Sequence, residues 1–453
     1  MNIVIIGDGK VGHKLAIQLT SERYDVTLID VREGRLKDSI NELDVSCVVG
    51  DGASAEIQME ADVQSADLVI ACASTDELNM LCCLLAKRLG AKQTIARVRN
   101  PVYYQQIHLF KDDLKLSMAV NPELVLAGEI SRVLIFPSAA KVETFAKGRV
   151  ELVEASISEN NPMAGLSFRE FYEKYQIKML ICAVQRGNEV FIPDGSFVPN
   201  RGDKINIAAS HKEIERFFKF VGALRSRVKN VMICGGGKTA YYLSLKLLSL
   251  GMNVKIIERD AERCASLCEL LPKATIICGN AADHELLEEE GIEHVDGFVA
   301  LTGMDEENII MSMYAKTKKV SKIITKVNDE ALQHLVDELG MESVVSAKNV
   351  TANLIMSYVR AMKNSMGSAN IETVYQLING KVEALEFQIR EAARYTGIPL
   401  KDLTLKENHL VACIVRKRQI IIPGGNDTLE VGDSVVVVTM SQGLEDLEEI
   451  LKR

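Results

Sequence analysis

The run IVIIGDGKVGHKLAIQLT, residues 3–20, decides the reading of this chain. A short apolar stretch ends in Gly7, Gly9 and Gly12, and an amphipathic segment of helical length follows. After a parallel strand, Gly7 permits a tight turn, Gly9 removes the side chain that would block a pyrophosphate, and Gly12 lets the helix approach the sheet. The backbone N–H groups and positive dipole at the start of that helix favour phosphate. Asp30 closes the next strand eighteen residues after Gly12, where a carboxylate accepts hydrogen bonds from ribose hydroxyls and disfavours a 2'-phosphate.

The same pattern returns as VMICGGGKTAYYLSLKLL at 231–248. Gly7, Gly9 and Gly12 fall on Gly235, Gly237 and Ala240, and Asp30 falls on Glu258. Its GGGKT resembles the tail of a Walker A loop, but that motif needs glycine where Met232 stands. VVGDGAS at 48 then corresponds to IICGNAA at 276, ADLVIACASTDELNM at 66 to VDGFVALTGMDEENI at 295, and TIARVRN at 94 to IITKVND at 323. The likeness continues beyond these segments: ETFAKGRVELVEASI at 143 resembles ETVYQLINGKVEALEFQI at 372, and GNEVFIPDGSFVPNRGDKINIAAS at 187 resembles KRQIIIPGGNDTLEVGDSVVVVTM at 417. The chain is thus two unlike units repeated in the order A, B, A, B, as duplication of a two-domain module would leave it.

Unit A alternates short apolar strands, at 2–6, 25–29, 45–49, 67–72 and 93–98, with amphipathic helical segments. That alternation predicts a doubly wound parallel α/β sheet of Rossmann type. A helix is expected from Asn121, where Asn precedes Pro. Unit B is smaller and richer in strands, with a short helix around FREFYEKY, which predicts a small α+β domain needing a partner for stability. The expected domains are 1–139, 140–225, 226–366 and 367–453.

Ligands of open α/β sheets bind at the carboxyl ends of the strands. There, Asp51 is placed to face an adenine, and ASTDELN from Ala73 to close over phosphates. The strand period of two sets Arg97 and Arg99 on one side, so they are expected to reach a phosphate together. Lys326 and Asn328 replace them in the second copy, which lacks the bidentate guanidinium and is expected to bind more weakly or with different selectivity.

The 453 residues, 47% apolar and 25% charged, suit several soluble domains. No stretch approaches the roughly 20 apolar residues of a bilayer span, so a cytoplasmic protein is expected. A net charge of −9 argues against nucleic acid and suits a basic surface such as the cytoplasmic loops of a membrane protein. The ten cysteines form no CxxC pair, although Cys264 and Cys268 lie one helical turn apart, and no metal site is expected. Unit B offers His211 and His409 without an equivalent acid or base pair, and neither a nucleophile elbow nor a metal triad occurs, so no catalytic residues are assigned and an enzyme is not expected.

The A, B, A, B order, with IIGDGKVG, VVGDGAS, STDELNM and ARVRNP, resembles the prokaryotic RCK (KTN) family over essentially the whole chain. The resemblance implies Rossmann-like nucleotide-binding A domains followed by RCK C-terminal B domains. It further implies a homo-oligomeric ring, a tetramer built as a dimer of dimers, on the cytoplasmic face of the inner membrane. That ring would regulate an integral potassium-translocating subunit of the Trk type through bound NAD(H), ATP or ADP. Carried over, the nucleotide-contacting positions of the first copy are Gly7, Asp8, Gly9, Lys10, Val11, Asp30, Asp51, Ala73, Ser74 and Arg97. Those of the second copy are Gly235, Gly236, Gly237, Lys238, Thr239, Glu258, Gly279, Thr302, Gly303 and Lys326. Two other readings stay open: a regulatory module of another cation transporter or antiporter, and a soluble NAD-dependent oxidoreductase.

Overall fold

The computed structural model describes residues 1–135, 141–145, 150–157, 161–221, 228–341, 343–365, 371–378, 381–417, 419–441, 444 and 446–452. The domain borders expected at 139/140, 225/226 and 366/367 lie outside the described residues. The chain divides into two compact units, one of residues 1–131 with 229–356 and the other of residues 132–228 with 357–453.

In the first unit, the first half of the chain runs β1 (Asn2–Ile6), α1 (Lys10–Ser21), β2 (Asp25–Asp30), α2 (Glu33–Glu42), β3 (Ser46–Val49) and α3 (Ala55–Glu60). It continues with β4 (Leu68–Ala71), α4 (Asp76–Leu89), β5 (Gln93–Arg97), α5 (Pro101–Phe110), β6 (Met118–Val120) and α6 (Pro122–Ile135). The six described strands are ordered β3-β2-β1-β4-β5-β6, all parallel, which is the Rossmann order with its switch point between β1 and β4. The strands are continuous apolar runs because helices cover both faces: Ile3, Ile5, Leu68 and Ile70 are almost completely buried, as are Val4 and Val69. Thr75 caps α4 by accepting from the Leu78 N–H at 3.2 Å. Asp76 and Glu77 open that helix and Lys87 and Arg88 close it, so that each end carries the charge that complements the helix dipole. As expected, α6 begins at Pro122, with the Asn121 carboxamide accepting from the Leu124 N–H at 2.9 Å.

The first antiparallel domain comprises β7 (Lys141–Phe145), β8 (Val150–Ser156), α7 (Phe168–Tyr175), β9 (Leu180–Arg186), β10 (Glu189–Phe191), β11 (Lys204–Ser210) and α8 (His211–Phe220). The short helix around FREFYEKY is α7, fixed by a capping box in which Ser167 and Glu170 satisfy each other's backbone N–H groups.

The second half repeats the pattern. Its parallel domain holds β12 (Asn230–Cys234), α9 (Lys238–Ser249), β13 (Asn253–Glu258), α10 (Ala261–Leu270), β14 (Thr275–Cys278), α11 (His284–Glu289) and β15 (Gly297–Ala300). There follow α12 (Asp305–Thr317), β16 (Lys322–Lys326), α13 (Glu330–Glu338), β17 (Val344–Val345) and α14 (Ala347–Ser365), and the sheet order β14-β13-β12-β15-β16-β17 reproduces the first. The last antiparallel sheet is β18 (Ile371–Leu377), β19 (Val382–Gln388), β20 (His409–Arg416), β21 (Gln419–Ile421) and β22 (Ser434–Thr439).

Within the second unit the two antiparallel sheets share one apolar core. Alternate residues Val150 and Leu152 of β8 and Val436 and Val438 of β22 meet in it, while Val153, Ala155, Val435 and Val437 face the separate core of their own domain. Both sheet faces are buried, which is why these strands carry apolar residues at successive positions. A cleft of about 860 Å³ between the two domains is walled by residues that include Phe168, Tyr172, Met179, Ile421 and Pro423. Among the described residues, no helix is long and apolar enough to cross a membrane.

Candidate functional site: two glycine turns at one sheet edge each

Parallel strands deliver the expected residues to one edge. Gly7 follows β1, Asp30 ends β2, Asp51 follows β3, Ala73 and Ser74 follow β4, and Arg97 ends β5. The glycines divide the work as the spacing predicts. Gly7 sits at φ +102°, and a Cβ there would lie 2.8 Å from the Ala73 nitrogen. A Cβ on Gly12 would lie 1.9 Å from the Gly7 carbonyl oxygen, so the helix can start this close only without a side chain. At Gly9 a Cβ would meet only the Arg35 guanidinium, at 3.9 Å, which leaves open space above the turn. Lys10 is exposed beside it, and Val11 is buried beneath.

Asp30 is 8% exposed; its carboxylate accepts from the Asp8 N–H at 2.8 Å and the Arg32 N–H at 2.9 Å. It braces the turn, and the remaining lone pairs of its two oxygens are what a ribose would use. Asp8, expected from the family resemblance to contact a nucleotide, carries a network that sequence reasoning missed. Its side chain is buried, the Ser39 hydroxyl donates to it at 2.6 Å, and its Oδ1 has no hydrogen-bond partner, with His13 Nδ1 3.4 Å away. Because the Ser39 proton points to Asp8, His13 Nδ1 donates to the Ser39 oxygen at 3.0 Å.

Arg97 and Arg99, expected to reach a phosphate together, hold different partners. Arg97 donates to the Ala73 carbonyl at 2.5 Å, while its Nε is buried without a partner. The Arg99 guanidinium is bound to Glu123, with Nε donating at 2.6 Å. The strand ends at Arg97, so the alternation that put both side chains on one side no longer governs residue 99. A second unanticipated support is Asn79, whose carboxamide accepts from the Ala73 N–H at 2.7 Å and donates to the Arg97 carbonyl at 2.9 Å. Asp76 accepts from the Arg99 and Asn100 N–H groups at 2.9 and 2.6 Å.

The second copy rebuilds this frame with changed side chains. Gly235 is at φ +100°, and a Cβ on Gly237 would meet nothing within 4 Å. Glu258 accepts from the Gly236 N–H at 2.6 Å, as Asp30 does from Asp8. Lys326 donates to the Thr302 carbonyl at 2.6 Å, as Arg97 does to Ala73, and burial pushes its ammonium below the usual lysine range against the opposing pull of Asp305. Asn308 and Asp305 repeat Asn79 and Asp76. Lys238 is exposed, as Lys10 is, and Thr239 is half-buried behind it. A cavity of about 230 Å³ opens here, lined among others by Gly235, Gly237, Glu258, Gly279, Thr302 and Gly303. Strand register corrects one correspondence: Val49 pairs with Asp30 and Cys278 with Glu258, so the counterpart of Asp51 is Asn280, not Gly279. Asn280 also lines the cavity, and both side chains accept the N–H two residues on.

The two parallel domains are packed together in their unit. Asn121 donates to the Tyr242 hydroxyl at 2.9 Å in a buried contact, and Lys14 binds Glu330 at 2.8 Å with Lys348 joining at 3.2 Å. Lys10, Arg99 and Glu123 from the first domain all act electrostatically on Lys326 of the second.

Comparison with known proteins follows this division. Residues 3–122 and 231–347 match the TrkA-N domain, and residues 152–222 and 384–452 match the TrkA-C domain. A Trk system potassium uptake protein TrkA homolog of Archaeoglobus fulgidus is 32% identical over 453 residues, covering all of both chains. Among solved structures, a GsuK channel bound to NAD superposes with a TM-score of 0.63 at 16% identity, covering 98% of this chain and 77% of that one. A GsuK structure bound to ADP gives 0.51 at 15% identity, over 80% of this chain and 69% of that one. With both repeats matched and a full-length relative above 30% identity, the chain belongs to the TrkA family of Trk system potassium uptake proteins.

Proposed function

We propose that the chain is a nucleotide-sensing regulatory subunit that assembles, as a homo-oligomer, on the cytoplasmic face of a Trk-type potassium-translocating membrane protein and sets its flux. The observation that carries this reading is the packing of two glycine-turn clefts into one unit, with Lys10 and Arg99 of the first close enough to perturb Lys326 of the second. A ligand that adds negative charge at either turn changes the field at the shared boundary, so it favours one packing over another. NAD(H), ATP and ADP are the ligands in view. The bare Gly9 and Gly237 turns accept a pyrophosphate, and Asp30 and Glu258 select a free ribose 2'-hydroxyl over a phosphate. The relatives named for Trk potassium uptake, and the GsuK structures bound to NAD and to ADP, support the same reading.

The test is purification of the tagged chain from gently solubilised membranes of its own host, with ATP, ADP or NADH in the wash, followed by potassium flux through the recovered complex in vesicles. Recovery of a potassium-translocating membrane subunit whose flux differs between these nucleotides is expected. Equal flux with all of them would remove the sensing role, and recovery of a different transporter would change the ion.

A further inference from the structure

We infer that Cys264 and Cys278 form a reversible dithiol at the rim of the second cleft, converted to a disulfide by a hydroperoxide. The two thiols meet through the strand that carries Glu258. Cys278 is the β14 residue in register with Glu258, and Cys264, on the first turns of α10, donates its thiol to the Glu258 carbonyl at 3.2 Å. Cys278 lies close enough to Cys264 to act on its thiol. One member is exposed and the other buried: Cys278 is open to solvent, whereas Cys264 is 7% exposed and burial, with Cys278 beside it, pushes its thiol up to about 11.

That asymmetry sets the order of events. The exposed Cys278 attacks the hydroperoxide, whose O–O bond breaks to give a sulfenic acid on Cys278 and an alcohol. The Cys264 sulfur then displaces the sulfenic hydroxyl, its own proton leaving with that oxygen as water, and the S–S bond forms. Two thiols and one hydroperoxide become one disulfide, one alcohol and one water. Cys268, exposed one turn further along α10, is the competing partner. The first cleft has no such pair, because Leu36 and Val49 occupy the equivalent places on α2 and β3.

The consequence for the cleft rests on the nucleotide reading proposed above. Drawing the sulfurs together to about 2.05 Å pulls the end of β14 onto α10. The residues that follow directly, Gly279 and Asn280, line the cavity with Glu258 and shift with it. Oxidation therefore weakens binding at this cleft alone.

The experiment treats the full chain with tert-butyl hydroperoxide, maps its peptides without reduction, and titrates ADP by calorimetry before and after. A Cys264–Cys278 link is expected, reversed by dithiothreitol, retained in Cys268→Ser and absent in Cys278→Ser. Linkage of Cys268 instead, or sulfinic acid on Cys278 without a link, would overturn the pair. With the link formed, one of the two bound ADP equivalents should weaken about fivefold or more, and unchanged affinity for both would overturn the coupling. Failure of ADP to bind even the reduced chain would instead count against the nucleotide reading, leaving the disulfide result to stand by itself.

Discussion

Gly9 and Gly12 are both bare for a reason, but the reasons differ and can be separated by one methyl group each. Gly12→Ala forces a carbon to within 1.9 Å of the Gly7 oxygen, so it should destabilise the first parallel domain by about 1–3 kcal/mol. Gly9→Ala meets only a flexible guanidinium at 3.9 Å, so its thermal unfolding should match the parent's. Its ADP or NADH affinity, read by calorimetry, should nevertheless fall about tenfold or more, because the methyl occupies the space over the turn. A Gly9→Ala chain that binds as well as the parent would place the phosphate elsewhere. This level of detail was legible in the sequence because glycine spacing after a strand has a backbone meaning independent of the rest of the fold. The separation of Arg97 from Arg99 was not, since the period of two holds only while the strand lasts and Glu123 is a distant partner in sequence.

Between residues and domains, the connection from β4 to α4 is held by side chains on the helix itself. Asn79 closes the Ala73 N–H and the Arg97 carbonyl together, and Asn308 does the same for Thr302 and Lys326. Replacing Asn79 with leucine strands both backbone groups, at about 1–3 kcal/mol for each buried unsatisfied group. Deuterium uptake at 72–75 and 97–99 should rise, with α1 unchanged. Uptake unchanged at all of these would mean the loop is held by its neighbours. The quoted ASTDELN contained this asparagine, but a single sequence gives no sign that a helix residue reaches back to its own entry loop. The unit B strands were legible as strands. Their two-sided burial was foreshadowed only by the expectation that such a small domain needs a partner, and its source is the core that Val150 and Leu152 of β8 share with Val436 and Val438 of β22.

At the scale of the whole molecule, the repeats touch one another within each unit, and two of these contacts can be tested. Glu330 is held below its ordinary value of 4.5, chiefly by its hydrogen bond to Lys14, with burial opposing. Its carboxylate is therefore more acidic in the fold than in the unfolded chain. The stabilisation it gives is complete above the ordinary carboxylate range and is lost as pH falls through the lower native value. Because Glu330 is half exposed, that contribution is at most about 1 kcal/mol. Deuterium uptake across α1 and α13 should thus rise on acidification in the parent and respond less in Glu330→Gln; identical responses would show that the pair does not hold the two parallel domains. In the second unit, Val436→Asp places a carboxylate in the core shared by the two antiparallel sheets. It should remove that unit's calorimetric transition or lower it by many degrees, since an unpaired buried charge is among the costliest single changes. An unaltered transition would mean that each antiparallel domain is stable without the other.

Carrying both repeats on one polypeptide has a further effect. Where two identical chains pair about an axis, every substitution is made twice and the two clefts must stay alike. Here the link between them is covalent, so their pairing does not weaken on dilution, and each cleft is free to diverge alone. Arg97 faces its loop as a guanidinium and Lys326 as a largely buried amine, Asp8 stands where Gly236 does, and the thiols of α10 and β14 have no twin. On the nucleotide reading proposed above, a single chain would therefore hold two different thresholds, and a mixture of nucleotides would be weighed within each chain instead of being averaged across a population.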